Sequence, residues 1–239
     1  MRMKTKTIII AIMSSITVLT ACNREVGSGS IISEERTVNS FTKIEVSNSA
    51  DVEIIKGDTL KVEVSDYENL LDNISVETVN GKLEIKNKPF RIHLRNSKAK
   101  ITITIPNVLT EVVISGSGNV TINDGLANTA TLKISGSGNI HADSTVDQTS
   151  VNLSISGSGD IEMAGNTESV SANISGSGNI NCGNLASVTA SCTISGSGNI
   201  TVNASETLNG HISGSGDIKY YGNPAISTDI SGSGSIRKQ

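Results

Sequence analysis

Aromatic and imidazole side chains are scarce in this chain of 239 residues, which has no Trp, three Tyr, two Phe and three His. Proteins that stack bases or sugar rings use aromatic platforms, so this shortage argues against both kinds of site. The formal net charge of −4 argues further against a nucleic-acid partner. Only three prolines stand beside 23 glycines, a ratio that excludes collagen and proline-rich disorder.

The N-terminus has the pattern of a targeting segment. Three cations within the first six residues precede an apolar run over residues 8–19, which is too short to span a bilayer. The run ends in Leu19-Thr20-Ala21-Cys22, which resembles the bacterial lipoprotein box. This predicts a signal peptide over residues 1–21, lipid attachment at Cys22 and a linker over residues 22–30. An ordinary secretory signal with an incidental cysteine is the alternative.

A repeated motif dominates the rest of the chain. The segment Ile-Ser-Gly-Ser-Gly-Asn/Asp/Ser occurs seven times, beginning at residues 114, 134, 155, 174, 194, 212 and 230. Apolar residues alternate before and after each copy, as in Val151, Leu153 and Ile155, which is the pattern of half-buried strands. A period of 18 to 21 residues suits one coil of a β-solenoid. The predicted class is therefore an all-β parallel β-helix.

Tight corners explain the two glycines of each copy. Stacked coils lie about 4.8 Å apart, which leaves no room for Cβ atoms at a bend. The residue after the second glycine would form a hydrogen-bonded ladder along the stack, with the members Asn119, Asn139, Asp160, Asn179, Asn199, Asp217 and Ser235. The predicted structural corner glycines are Gly116, Gly118, Gly136, Gly138, Gly157, Gly159, Gly176, Gly178, Gly196, Gly198, Gly214, Gly216, Gly232 and Gly234.

One coil cannot bury enough apolar surface to fold alone, so the array needs stacking and caps at its ends. Residues 31–110 also read as strands, and Asn80-Gly81 marks a hairpin turn. Within them Ser47-Asn48-Ser49-Ala50-Asp51 is a degenerate copy of the motif, so the solenoid is expected to begin near residue 40. We predict one domain over residues 31–239, with an N-terminal β cap or inserted hairpin (31–110) and seven coils (111–239).

Residues 27–239 resemble the adhesin head-domain family of Bacteroidetes-type lipoproteins. The resemblance rests on the strand pair from Phe41 to Val52, the segment from Leu94 to Pro106 and the Ser-Gly-Ser-Gly coils. It implies a right-handed β-helix and an adhesive, non-enzymatic role. These motifs are specific for the fold and less specific for the function.

Carboxylates and imidazoles do not form a recognisable catalytic or metal-binding set in the sequence. Asp160 and Asp217 lie about three coils apart, outside the range for paired glycosidase carboxylates. The histidines His93, His141 and His211 lack the spacing of metal ligands. We therefore predict no catalytic residue, no metal site and no cofactor, and an enzyme acting on polysaccharides is the least favoured alternative.

Two further features are open to more than one interpretation. Residues 82–100 contain seven cations and one acid, either a patch for an anionic partner or a solvated face beside the acidic strands. Cys182 and Cys192 occupy core-facing positions half a coil apart, where they could form a disulfide in an oxidising compartment or pack as free thiols.

These observations lead to a lipid-anchored cell-envelope protein, expected at the outer membrane and carrying palmitate-type acylation at Cys22. Its partners would be the membrane, through the N-terminal lipid, and an unidentified protein or glycan. Exposed strand edges at the ends of the stack also permit self-association. A surface adhesin and a periplasm-facing envelope scaffold are both consistent with the sequence.

Overall fold

A computed structural model of the chain describes residues 24–89, 92–143 and 147–239. It is all-β, with 62% strand and 2% helix, and forms a β-solenoid of about six turns spaced about 20 residues apart. The predicted fold class is confirmed. The seven coils predicted over residues 111–239 count one coil for each motif copy.

The elements fall into an N-terminal group that builds the cap and the first coil, and a C-terminal group that builds the repeated coils. The first group is β1 (Arg24–Val26), β2 (Ile31–Glu35), β3 (Lys43–Val46), β4 (Asp51–Lys56), β5 (Lys61–Tyr67), α1 (Glu68–Leu71), β6 (Ile74–Val79), β7 (Lys82–Asn87), β8 (His93–Arg95) and β9 (Lys100–Ile105). The second is β10 (Leu109–Ile114), β11 (Val120–Ile122), β12 (Leu126–Ile134), β13 (Ile140–Asp143), β14 (Gln148–Ile155), β15 (Ile161–Ile174), β16 (Ile180–Ile194), β17 (Ile200–Ile212), β18 (Ile218–Tyr221), β19 (Ala225–Ile230) and β20 (Ile236–Lys238).

Successive coils stack in parallel with the motif in register. Ile134 pairs with Ile155, which pairs with Ile174 in the following coil. Buried and exposed residues alternate along each strand, so one side of every strand faces a single continuous core of aliphatic side chains. Phe41 is the one aromatic side chain among the buried core residues that the structure describes.

The first coil is formed by β3 and β4, on either side of the degenerate motif copy. β3 pairs with β10 on one side and with β7 on the other, and β4 is likewise held between β11 and β9. β3 and β4 therefore lie in the parallel stack, and a solenoid that begins near residue 40 stays a prediction. Residues 57–108 leave this coil, build the cap beneath it and return to start the next coil.

The cap ends the stack with antiparallel strands. β5 pairs with β9, β6 with β7, and β2 with β5, while Asn80 and Gly81 form the predicted hairpin turn with φ of 52° and 75°. Asp66 is fully buried and holds the cap together. Its carboxylate accepts hydrogen bonds from Ser97 Oγ at 2.6 Å and from the Lys98 amide at 2.7 Å.

Residues 24–30 differ from the linker expected for residues 22–30. β1 pairs in parallel with β8, and the buried Gly27 donates its amide to the Arg95 carbonyl at 2.8 Å. A Cβ atom on Gly27 would meet the ring of Tyr67, so the close approach of the chain to the cap requires glycine. Residue 24, two positions after Cys22, thus already belongs to a strand, whereas Cys22 and the whole predicted signal peptide lie outside the described residues.

The last coil has an open face. Ile226 and Ile230 of β19 are in register with the buried Leu208 and Ile212, yet they are 45% and 43% exposed. No strand follows β19 or β20 on this side within the part of the chain that the structure describes. Self-association through this face stays a prediction.

Candidate functional site

The corner glycines line one edge of the solenoid and pack directly on one another. A Cβ atom on Gly136 would overlap the carbonyl group of Gly116, and the same relationship holds at each later corner. Positive φ angles occur at five other glycines and at none of the fourteen corner positions. Glycine is therefore required by the approach of neighbouring coils and not by the backbone conformation of the bend.

Beside these glycines runs the predicted ladder. The Oδ1 atom of Asn119 accepts hydrogen bonds from the backbone amide of Asn139 at 3.2 Å and from its Nδ2 at 2.9 Å, and later coils repeat this pattern. Asp51 adds a further rung beneath Asn119. The carboxylates Asp51, Asp160 and Asp217 thus recur every third coil, about 14 Å apart, which keeps their mutual repulsion weak.

Both described cysteines are free thiols in the interior. Cys182 is in register with Val202, and Cys192 lies between Ala172 and Gly210 of the neighbouring coils. Burial raises the pKa of the Cys192 thiol to about 12 and raises the pKa of Cys182 further. Because thiolate is the reactive form, these groups behave as small apolar core residues.

The basic run of residues 82–100 divides into paired and unpaired cations. Lys82 bonds Glu45 and Glu84, Lys86 bonds Glu84, and Lys100 bonds Glu53 at 2.9 Å. Hydrogen bonds from Lys86 and Lys82 hold the pKa of Glu84 below its ordinary value. These paired lysines fit the interpretation of the run as a solvated face beside the acidic strands. Within the described residues Lys88, Arg95 and Lys98 have no ion pair, and Arg91 lies outside them.

The histidines and their neighbouring acids are surface groups. His211 Nδ1 lies 3.0 Å from Asp229 Oδ2, and His141 lies between Asp143 and Glu162 at 3.5 and 3.3 Å. His93 lines a small pocket beside the first corner. In residues 24–89, 92–143 and 147–239 no group of three or more His, Cys, Asp or Glu side chains could hold a metal ion.

Sequence analysis did not identify a polar groove on one side of the solenoid. The groove has a volume of about 490 Å³ and runs across four consecutive coils, with residues 147–149, 166–168 and 186–188 and two residues of β17. We call it the polar groove. Its lining residues are Asp147, Gln148, Thr149, Asn166, Thr167, Glu168, Ala186, Ser187, Val188, Asn203 and Ser205.

The floor of the polar groove is a row of buried polar residues at positions where other strands place aliphatic ones. Gln148, Thr167 and Ser187 are in register and 2 to 6% exposed. Thr167 and Ser187 bond backbone carbonyls, whereas Gln148 donates to the Ala127 carbonyl and leaves its buried Oε1 without a partner among the described residues. The sequence does contain a sign of this groove, because these polar residues stand at inward-facing strand positions that are aliphatic in other coils.

The groove walls carry acidic and amide groups. Asn166 Nδ2 donates to Asp147 Oδ1 at 3.1 Å, Glu168 also lines the groove, and Val188 contributes a 37% exposed apolar surface. The carboxylate oxygens and the unpaired Gln148 acceptor favour a ligand that supplies several hydrogen-bond donors, such as a hydroxyl-rich one.

No helix among the described residues is long and apolar enough to cross a membrane.

Comparison with known proteins gives one family and several solved relatives. The family model described as putative auto-transporter adhesin, head GIN domain, matches residues 40–224. A crystal structure of a putative lipid binding protein from Parabacteroides distasonis ATCC 8503 is 29% identical, covers 91% of this chain and 100% of its own, and has a TM-score of 0.75.

Two further crystal structures are described as putative adhesins. One, from Bacteroides fragilis NCTC 9343, is 27% identical over 90% of this chain and 100% of its own, with a TM-score of 0.79. The other, from Parabacteroides distasonis ATCC 8503, is 25% identical over 91% and 100%, with a TM-score of 0.70. No curated protein matches the chain.

Proposed function

The chain belongs to the family described as putative auto-transporter adhesin, head GIN domain, and from this premise we propose that it is a non-enzymatic cell-envelope lipoprotein whose solenoid presents a binding surface. The observation that carries the proposal is the polar groove, with its orphan Gln148 acceptor on a rigid stack of coils. Two relatives described as putative adhesins support an adhesive role.

Rigidity suits the solenoid to adhesion. Each coil is fixed to the next by parallel strand pairing on its walls, with a few register shifts, and by the ladder at its corner. A groove formed across several such coils has little freedom to lose when a ligand binds, so ordering costs are small. The ligand class that fits the exposed donors and acceptors is a hydroxyl-rich chain, for which a glycan is the natural candidate.

Lipid attachment at Cys22 would hold the solenoid by its capped end. The docking of residues 24–30 leaves almost no free chain between Cys22 and the cap, so the cap would sit against the membrane and the coils would stack away from it. This orientation leaves the polar groove accessible to a partner outside the membrane surface.

A periplasm-facing scaffold is the second candidate. The short connection to Cys22 favours it, because the solenoid would stay close to its own membrane. The residues after Cys22 also lack the acidic run that the family context associates with outer-surface export. An outer-surface adhesin and a periplasmic scaffold would share the same groove and anchor. They differ in the side of the membrane on which the solenoid lies.

Two measurements test the proposal. Protease treatment of intact cells should digest an epitope within residues 230–239 if the protein is on the surface, whereas protection until the outer membrane is ruptured would support the scaffold.

A glycan screen with the full chain should then identify ligands whose binding is lost in Thr149→Trp, which fills the polar groove. Asn152→Trp is the matched control, because Asn152 is exposed on the same strand outside the groove. Equal binding by both variants would remove the groove from the proposal.

A further inference from the structure

A second pocket lies in the cap, at the opposite end from the open coil. It has a volume of about 240 Å³ and is bounded by Arg36, which follows β2, by Asp72 and residues of β6, and by Lys88, which follows β7. We call it the cap pocket. The polar side chains that line it are Arg36, Asp72, Ser75, Glu77 and Lys88.

Unsatisfied donors are concentrated in this pocket. Three buried side-chain polar atoms lack a hydrogen-bond partner in the described part of the chain, and two of them, Arg36 Nε and Ser75 Oγ, belong to residues that line the cap pocket. Ser75 is only 6% exposed. Because buried polar groups in folded proteins are nearly always paired, two orphan groups in one pocket indicate a missing partner.

One nitrogen of the Arg36 guanidinium is already bonded. Its Nη2 donates to the Leu71 carbonyl at 3.1 Å and lies 2.9 Å from Glu34 Oε2. These contacts orient the group, while its buried Nε has no partner among the described residues. The backbone amide of Arg36 is bonded to the Val62 carbonyl at 2.8 Å, so the side chain starts from a fixed position.

The chemistry of the donors restricts the ligand. Arg36 Nε can only donate, and the Ser75 hydroxyl can donate beside it, so the partner must offer acceptor oxygens. Lys88 lines the same pocket and has no ion pair among the described residues, which adds a free positive charge. Arg, Lys and hydroxyl donors together are the usual partners of a phosphate group.

Two carboxylates at the margin of the pocket restrict which phosphate compounds can bind. Asp72 and Glu77 are exposed at its margin, and neither has an ion pair within residues 24–89, 92–143 and 147–239. They would disfavour an anion alone and favour one that carries a cation nearby.

We propose that the cap pocket binds a phosphate ester bearing a neighbouring ammonium group, the chemistry of ethanolamine phosphate. The phosphate accepts from Arg36 Nε and Ser75 Oγ, and the ammonium faces Asp72 and Glu77. This inference uses the cap residues alone and does not depend on the polar groove. The same group can come from a soluble ester or from a lipid headgroup.

Calorimetric titration of the full chain in detergent tests the proposal with O-phosphorylethanolamine, inorganic phosphate and ethanolamine. We expect saturable binding of O-phosphorylethanolamine, at least about fivefold tighter than inorganic phosphate, since the acidic pair adds a second attraction. Absence of saturable binding, or equal affinity for the two phosphates, would overturn it.

Substitutions locate the binding. Ser75→Ala should weaken O-phosphorylethanolamine about tenfold or more, because a hydrogen bond to a charged group is lost, while the urea midpoint stays the same or rises since an unpaired hydroxyl is removed. Ser33→Ala, exposed on β2 away from the pocket, is the control. The double change Asp72→Asn with Glu77→Gln should abolish the preference over inorganic phosphate. Unchanged binding in Ser75→Ala contradicts the assignment.

Flotation with vesicles separates the two sources of the ligand. The Cys22→Ala variant, lacking the predicted anchor, is mixed with vesicles of phosphatidylcholine alone or with phosphatidylethanolamine. Flotation that requires phosphatidylethanolamine and is lost in Ser75→Ala identifies the headgroup, and binding of the soluble ester without flotation identifies the free ester. Flotation that persists in Ser75→Ala counts against the pocket.

Discussion

The carbonyl group of Gly159 occupies the space in which a Cβ atom on Gly178 would lie, with its carbonyl carbon 2.9 Å from that position. Both residues are the second glycine of consecutive corners, so no side chain can move aside to relieve the overlap. We expect Gly178→Val to destabilise the protein by more than about 3 kcal/mol, measured by urea titration, because a coil on each side must shift. Ser177→Ala, on the same corner, should change stability by less than about 0.5 kcal/mol.

Gly234→Val should be milder than Gly178→Val although the local overlap is similar. A Cβ atom on Gly234 would meet the carbonyl of Gly216, yet only one coil lies against this corner, so the terminal coil can separate without breaking the array. Equal losses in the two variants would contradict the stacking order.

The thiols of Cys182 and Cys192 should resist alkylation in the native protein at pH 8. Their pKa values are raised by burial, so neither deprotonates near neutral pH. Mass spectrometry after iodoacetamide treatment should find no modification before denaturation and two modified thiols after denaturation without reductant. Denatured protein with neither thiol reactive would establish the disulfide instead.

Asp217 should titrate below the ordinary pKa of an aspartate. The hydrogen bond from the Ser235 hydroxyl is the main cause that lowers its pKa, with smaller help from the Ser235 amide, Arg237 and Lys219. Because the pKa of Asp217 is lower in the folded than in the unfolded protein, its ionised carboxylate stabilises the folded state above about pH 4. This stabilisation is lost as the pH falls through the folded-state pKa.

NMR titration of the Ser235 amide measures this pKa directly. Ser235→Ala should raise the midpoint more than Arg237→Gln does, because the Arg237 guanidinium is 3.9 Å from the carboxylate and largely exposed. A larger shift in Arg237→Gln would show that charge, and not the hydrogen bond, sets the pKa.

Lipid attachment at Cys22 predicts that Cys22→Ala releases the protein from membranes. Metabolic labelling with an alkyne fatty acid should mark the natural chain and leave the variant unlabelled. Label retained in Cys22→Ala would place the lipid elsewhere or reject the lipoprotein assignment.

The repeated part of the fold could be predicted because each coil repeats the same short pattern of apolar residues and glycines. Ile155 and Ile174 recur at a fixed distance from their glycines, and parallel stacking turns this periodicity into a register. The degenerate copy at residues 47–51 was recognisable for the same reason. The reason for glycine was only partly foreseen: coils approach too closely for Cβ atoms at Gly136, while the bend itself uses no positive φ.

Features that depend on non-repeating contacts could not be predicted. Gly27 looked like part of a flexible linker, but its fit against Tyr67 becomes visible only when the cap is folded. Arg36 and Ser75 line one pocket because β2 and β6 lie at the same end of the stack, although 39 positions separate these residues in the sequence. The polar groove likewise assembles from four coils.

The excursion of residues 57–108 has a consequence for how the molecule is built. It places the first coil between a cap and a second coil that both come later in the chain, joining strands such as β3 and β10 across more than 60 residues. Every later coil adds on the previous one at a separation of about 20 residues. Folding thus needs one slow step in which distant segments pair to form the cap and the first two coils. The later coils then add through contacts between segments that are close in the sequence. Evolution can lengthen or shorten such a rod by whole coils without altering the cap and the first two coils.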